Sequence, residues 1–275
     1  MTRPAESARV QAVWINRFID LVCEWNIRPE RPQSLVCLKS RRLFPDELCD
    51  MNLALKVLHD DEDHCVVLKP AGMATHGKGP HTLLAALRRL AAAGQLEAGT
   101  ELLPIHRLDF GTRGPVVVAK HPGAQRALQR AWPRAVKVYH AWVTGAIETA
   151  RGRVCLPLDG KASATSFRNL GWRPWGVHGN ATLVEWTLET GRTHQIRRHA
   201  AALGHPVVGD LVYGTPPIYT GHGLHLTCSL LAWDHPTSGM RLQLTVDPAK
   251  KMRRAVPETF RPLEPSPMLD LFVGR

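Results

Sequence analysis

From Leu53 onwards, short apolar runs alternate with turn signals. Leu53 to Leu58 and His64 to Leu68 flank the acidic stretch Asp60-Asp61-Glu62-Asp63, a pattern that predicts a hairpin. The second arm ends in Lys69-Pro70-Ala71-Gly72, where proline fixes φ and glycine permits the reverse bend. Val116-Val117-Val118-Ala119, bounded by Gly114-Pro115 and Lys120, reads as a short buried strand. Lys137 to Gly145 alternates as a strand should, and Leu224 to Leu226 and Trp233 to Leu242 read as strands, with a turn in the second. Helical spacing recurs at four places. Trp14, Phe18, Leu21, Val22 and Trp25 share one face of a helix over Val10 to Trp25, ended by Pro29 and Pro32. Thr82 is a good N-cap for a helix running from Leu83 to Gly94, and Gln125 to Trp132 forms another until Pro133 breaks it. The fourth starts at Thr193 and is capped by Gly204. Residues 151–181 are rich in Gly, Arg and Trp and have weak periodicity.

Composition narrows the class. A chain of 275 residues holds one large domain or two small ones, and 44% hydrophobic with 21% charged residues is ordinary for a globular protein. The net charge of +11 favours a polyanionic partner such as nucleic acid. That surplus is not a detachable tail: the net charge is +1 over residues 1–50, +4 over 51–150 and +6 over 151–275. The six cysteines are widely spaced with no CxxC pair, which argues against a zinc ribbon and for reduced thiols. No apolar run reaches the roughly 18 residues of a membrane span, and the N-terminus carries no secretory pattern. These features point to a soluble, cytoplasmic protein.

The candidate chemistry centres on Pro104-Ile105-His106-Arg107-Leu108-Asp109-Phe110-Gly111-Thr112-Arg113-Gly114-Pro115, which leads into the apolar run. A carboxylate next to a core strand needs a cationic partner or a chemical use. By itself Asp109 could simply cap its own turn. A second dense block runs Glu189-Thr190-Gly191-Arg192-Thr193-His194-Gln195-Ile196-Arg197-Arg198-His199, followed by Gly204-His205-Pro206-Val207-Val208-Gly209-Asp210-Leu211-Val212-Tyr213-Gly214. His194, His199 and His205 are spaced by five and six, which does not stack two imidazoles on one helical face, so a metal site is not expected. Arg126 and Arg130 share a helix face suited to phosphates, and Trp172 and Trp175, with Arg168 and Arg173, could stack bases. Lys250, Lys251, Arg253 and Arg254 read as the start of a solvated terminus.

The first block resembles the catalytic motif of the RluA-like pseudouridine synthases of the ribosomal large subunit. Lys69-Pro70-Ala71-Gly72, Lys137-Val138-Tyr139-His140-Ala141-Trp142-Val143-Thr144-Gly145 and Gly191-Arg192-Thr193-His194-Gln195-Ile196-Arg197 resemble further motifs of that family, in its order, over about residues 53–248. The resemblance implies an α+β fold: a large, mostly antiparallel mixed sheet with flanking helices and an RNA cleft. It implies a catalytic domain over 51–250, between an N-terminal extension (1–50) with no S4 module and a C-terminal tail (251–275).

The implied reaction isomerises uridine to pseudouridine in ribosomal or transfer RNA, on a nucleotide flipped out of its fold. It needs no cofactor and no metal, and family members are commonly monomeric. Asp109 would be the nucleophile, ionised beside Arg197, and Tyr139 would stack on the uracil and help remove a proton. Ile196 would form the apolar floor. Arg107 would fill the vacated space or hold its phosphate, His106 would orient the loop, and Lys69, Arg192 and His194 would line the substrate site.

Two departures stand out. Arg113 and Pro115 occupy positions where the family usually has serine and leucine, which adds a cation beside the loop and removes a strand N–H. They motivate one alternative, a catalytically inactive RNA-binding relative. A nucleoside hydrolase or glycosidase is another, but it requires a second acid about 5–10 Å from Asp109, and no partner carboxylate is evident near the motifs.

Overall fold

The computed structural model describes residues 36–37, 55–77, 79–96 and 101–255. The helix expected over Val10 to Trp25 lies outside the described residues, as does most of the 1–50 extension. Two sheets form. The larger runs in the order β1 (Val36–Cys37), β11 (Arg241–Thr245), β10 (Leu226–Asp234), β6 (Val136–Thr144), β9 (Asn180–Leu188), β8 (Thr165–Pro174), β7 (Arg151–Val154). Among these pairs, β1 with β11 is parallel and the others are antiparallel. The smaller sheet runs β2 (Lys56–Asp60), β3 (His64–Lys69), β5 (Gly114–Ala119), β4 (Leu103–Pro104) and is antiparallel. The helices are α1 (Leu83–Ala92), α2 (Pro122–Ala131), α3 (Gln195–Ala202) and α4 (Lys250–Arg254). This is the expected α+β class, with a second, separate sheet behind the large one.

The unbroken apolar runs of β3 and β5 are explained by burial on both faces. Cys65, Val67, Val116 and Val118 join a core with Leu83 and Leu87 of α1 and with Tyr139, Trp186 and Leu226 of the large sheet. Val66, Leu68, Val117 and Ala119 turn the other way, onto Leu128 of α2 and Leu231, Trp233, Leu242 and Leu244 of β10 and β11. Each fully buried Val or Leu contributes about 1.5–3 kcal/mol, which fixes the small sheet against the large one. Gly114 marks the crossing. A Cβ there would lie 2.5 Å from the Cys228 Cβ, so only glycine lets β5 run against β10, where the Cys228 N–H donates to the Arg113 carbonyl at 2.9 Å.

Local signals set the helix ends. The Thr82 hydroxyl accepts from the Ala85 N–H at 3.2 Å, and His121 Nδ1 accepts from the Ala124 N–H at 3.1 Å. α3 starts at Gln195 rather than Thr193, because His194 sits in the left-handed region at φ 54°, outside the helix. The expectation of a solvated terminus from Lys250 fails through residue 255. Met252 of α4 is fully buried with Trp142, Leu170 and Leu183, and its carbonyl accepts from Trp142 Nε1 at 3.2 Å. One methionine among the lysines and arginines was enough to anchor the turn.

Candidate active site

Asp109 opens a tight turn, in which the Thr112 N–H donates to the Asp109 carbonyl at 3.0 Å. The loop 70–77 clamps this turn from behind. The Gly72 N–H donates to the Phe110 carbonyl at 2.8 Å, and the Thr75 hydroxyl both donates to the Leu108 carbonyl and accepts from the Leu108 N–H, each at 3.1 Å. Lys69 is fully buried and donates from Nζ to the carbonyls of Met73 (2.6 Å), Pro70 (2.9 Å) and Phe110 (3.4 Å). Burial brings its ammonium down to about 8, against the opposing pull of Asp109. Lys69 therefore lies behind the Asp109 loop and not in the cleft wall. His106 also serves the scaffold: its Nε2 accepts from the Val117 N–H at 3.1 Å and its ring stacks on Trp132 at 4.6 Å. Burial, reinforced by Lys137, lowers it to about 3, which keeps the imidazole neutral.

With its backbone fixed in this way, Asp109 faces a cleft of about 570 Å³. Arg107, Lys137, Arg192 and Arg197 line it against two carboxylates, Asp109 and Glu189, and Tyr139, Ile196 and Leu226 supply its apolar surface. Arg197 Nη1 lies 3.5 Å from Asp109 Oδ2. The same guanidinium is held by Asp210 through Nε to Oδ2 and Nη2 to Oδ1, both at 2.7 Å, and it covers the Tyr213 ring at 5.0 Å. Asp210 also accepts the N–H groups of Val212 and Tyr213 at 3.0 and 3.1 Å. Burial works against its charge, yet these four donors hold the carboxyl below the ordinary range. His194 Nδ1 lies 3.1 Å from the Tyr213 hydroxyl and its Nε2 lies 3.9 Å from Asp109 Oδ1. A histidine at positive φ, next to the Asp109 carboxylate, is the kind of local strain that collects at functional sites.

Gln195 holds the facing loop. Its Oε1 accepts from the Thr190 hydroxyl (2.8 Å) and the Arg192 N–H (2.9 Å), while Nε2 donates to the Ala164 carbonyl (2.9 Å) and Thr165 Oγ1 (2.7 Å). Arg192 is exposed at the rim, where its Nε donates to the Ala162 carbonyl at 3.2 Å, and Arg107 is exposed on the opposite wall. Burial, followed by Cys228, pushes the Tyr139 phenol well above its ordinary value. Sequence reasoning missed Asp210, Tyr213, Thr75 and Gln195. Gln195, Asp210 and Tyr213 stand inside the second dense block, which was a usable signal for them; Thr75 carried none.

The two departures are moved away from the chemistry by the fold. Arg113 is not part of the cleft lining, and its electrostatic neighbours are Asp247 and Arg253. Val117 directs its N–H to His106 and its carbonyl to Ile105, away from β3. Pro115, two residues earlier, has the same parity, so its missing N–H leaves the β3 ladder intact. Contrary to the expectation of no partner carboxylate, Glu189 shares the cleft lining with Asp109, but Arg153 grips both its oxygens at 2.6 to 3.0 Å. Those hydrogen bonds hold Glu189 below the ordinary range, the wrong direction for a general acid.

His199 and His205 turn to separate scaffold partners, His199 to Ser163, Thr165 and Leu156 and His205 to the Thr144 carbonyl. Among the described residues, His59, Asp61 and His64 bring donor atoms within 4.8 Å of one another. That cluster is a hydrogen-bond hub at the far end of β3. Asp61 accepts the N–H groups of Asp63 and His64, His59 and His235 reach it at 2.6 and 3.2 Å, and His64 Nε2 accepts from Trp233.

Residues 63–202 match the family model described as RNA pseudouridylate synthase, half of the chain, and this chain belongs to that family. An "Uncharacterized RNA pseudouridine synthase" of Chloroflexus aurantiacus is 37% identical over 79% of this chain and 73% of its own length. The dual-specificity RNA pseudouridine synthase RluA of Haemophilus influenzae is 35% identical over 67% of this chain and 89% of its own. Among solved structures, human RNA pseudouridylate synthase domain containing 1 superposes with a TM-score of 0.62 and 25% identity, covering 80% of this chain and 93% of that one.

Proposed function

We propose that this chain, an RNA pseudouridine synthase and hence an isomerase, converts uridine to pseudouridine in ribosomal or transfer RNA with Asp109 as its nucleophile. The observation that carries this reading is the Asp109 carboxylate, aimed into a cationic cleft, with one oxygen 3.5 Å from Arg197 and the other 3.9 Å from His194. In the reaction the C1′–N1 bond of uridine breaks while Asp109 attacks C1′ or stabilises its positive charge. The freed uracil turns, C5 bonds to C1′ as any bond from Asp109 to C1′ breaks and frees the carboxylate, the proton leaves C5, and N1 ends protonated, so no redox partner is required.

Tyr139 meets the uracil as a neutral phenol, because burial opposes its ionisation, and we assign it a stacking role in place of the expected proton removal. Ile196 floors the pocket. Arg107 and Arg192, exposed on opposite walls, bind phosphates of the flipped strand and offset part of the few kcal/mol that flipping costs. Lys69 and His106 act through the loop they hold. The direct test is pseudouridine mapping of total RNA from cells with and without the protein, with Asp109→Ala rescue in parallel. A site lost on deletion and restored only by the unmutated protein supports the reading and names the substrate. Persistence of every site, or rescue by Asp109→Ala, overturns it in favour of an inert RNA-binding relative.

A further inference from the structure

A second pocket, of about 560 Å³, lies at the opposite end of β9 from the cleft. The cleft takes Leu188 and the residues after it, and the second pocket takes His178, just before Asn180. Nine residues of extended chain separate the two by roughly 26 Å at about 3.3 Å per step.

Its floor is aromatic. Trp175 leans on buried Trp142 at 5.3 Å and meets Tyr219 edge-on at 5.9 Å and 85°. The Arg173 guanidinium sits 5.5 Å over the Trp175 ring. The sequence offered Trp172 and Trp175 together as stacking residues. Trp172 is absent from this pocket, and Arg168 is taken by Glu185 at 2.8 Å. Trp175, Arg173 and the distant Tyr219 are what the fold brings together.

The wall is cationic, with Arg173, Lys251 and Arg254 beside His222, and among the described residues no carboxylate lines it. Lys251 Nζ donates to the His222 and Leu224 carbonyls, both at 2.6 Å, and Arg173 Nη1 donates to the Ala255 carbonyl at 2.5 Å. Carbonyl partners orient these cations without neutralising them. Ring packing explains Trp175 and Tyr219, but it does not explain three like charges, Arg173, Lys251 and Arg254, gathered with no counter-charge among the described lining residues. An anion bound among them removes that repulsion.

Cations around half-exposed rings are the recognition chemistry of an unpaired nucleotide, with the base stacked and its phosphate paired. We propose that this pocket is a second RNA site, holding an unpaired nucleotide of the substrate about 26 Å from the uridine being modified. The proposal rests on the RNA reading of the cleft. It places a recognition element of the substrate outside the region that reaches Asp109.

The test uses the full chain and a 20-nucleotide single-stranded RNA carrying 4-thiouridine, crosslinked by light and mapped by peptide mass spectrometry. Crosslinks are expected at Trp175 or Tyr219 as well as in the cleft near Tyr139. The double variant R254E/H222E changes two exposed side chains. It is expected to lose the pocket crosslinks, keep those in the cleft, bind about tenfold more weakly and flatten the salt dependence by about 0.7 for each phosphate no longer neutralised. Crosslinks confined to the cleft, or a variant indistinguishable from the parent, overturn the second site and leave the cleft reading standing. Crosslinks at neither place overturn both. Inorganic polyphosphate at matched charge is expected not to displace the pocket crosslinks; if it does, the site is a general polyanion patch and the stacking assignment falls.

Discussion

Asp109 and Asp210 approach the same guanidinium and differ in how many of their lone pairs are taken. Asp210 is 1% exposed and accepts two hydrogen bonds from Arg197 and two from backbone N–H groups. Asp109 is 17% exposed at its side chain and has one approach from Arg197, at 3.5 Å, and one from His194, at 3.9 Å. A fully satisfied carboxylate orients its arginine, whereas one held by its backbone and left open at its oxygens can attack. The scaffold reflects the same division. Lys69, Thr75 and Gly72 grip the main chain around Asp109 and leave its side chain free.

The sharpest test of this contrast is Asp109→Ala, which should lower tritium release from RNA labelled at uridine C5 by at least about 10⁴-fold, as loss of a nucleophile does, while the melting temperature stays put. A large fall in melting temperature would show that Asp109 is structural, like its neighbour. Arg197→Met should destabilise the fold by about 3–5 kcal/mol in urea, because it strands the buried Asp210 charge. Arg197→Met combined with Asp210→Leu should recover much of that stability and none of the activity; recovery of both would remove Arg197 from the chemistry.

Acid separates the two roles by pH window. His106 and His225 fall to about 3 and about 4 because burial, the largest cause for each, opposes their charging, whereas the unfolded chain binds both protons near 6.5. Their folded values are depressed, so their contribution is present above about 6.5 and is lost as pH falls towards 4. These two supply about 2.7 kcal/mol per pH unit, and His64, His140 and His199, also lowered by burial, add in the same direction. Asp210, also depressed, loses its contribution only below about 4. Denaturation of Asp210→Asn should therefore keep the slope below pH 6.5; disappearance of that slope would refute the assignment to the buried histidines.

Two smaller effects complete the set. His194→Gly should relieve the left-handed backbone, raising stability by up to about 1 kcal/mol, and lower turnover about tenfold by removing the imidazole beside Asp109. A variant that gains stability with unchanged turnover would limit His194 to the turn. Reverting the departures, Arg113→Ser with Pro115→Leu, should change turnover by less than about threefold, since neither faces the cleft. A larger change would return them to the active site.

Much of this was legible in the order of residues. The acidic turn predicted the β2–β3 hairpin, Thr82 and Gly204 marked helix ends, and the dense blocks around Asp109 and Arg197 named the two sides of the cleft. Local signals suffice there because turns, caps and strands depend on neighbours a few residues apart. The role of Lys69 was not legible. A lysine before Pro70 looks the same whether it ends in water or under a loop 41 residues away, and only the packing of β3 under that loop decides. Met252 shows the same limit, as a single apolar residue in a basic run with no period to betray its burial.

The sequence by itself determined the family, the chemical types at the site and the excess of positive charge, since each of these is a property of residue identity and spacing. Tertiary structure alone decided which carboxylate stays open, where Arg113 and Pro115 point, and that Arg173, Trp175, Tyr219 and Lys251 share one pocket. Those outcomes depend on contacts between residues tens of positions apart, where burial and competition for hydrogen-bond donors, rather than local pattern, set what each side chain is free to do.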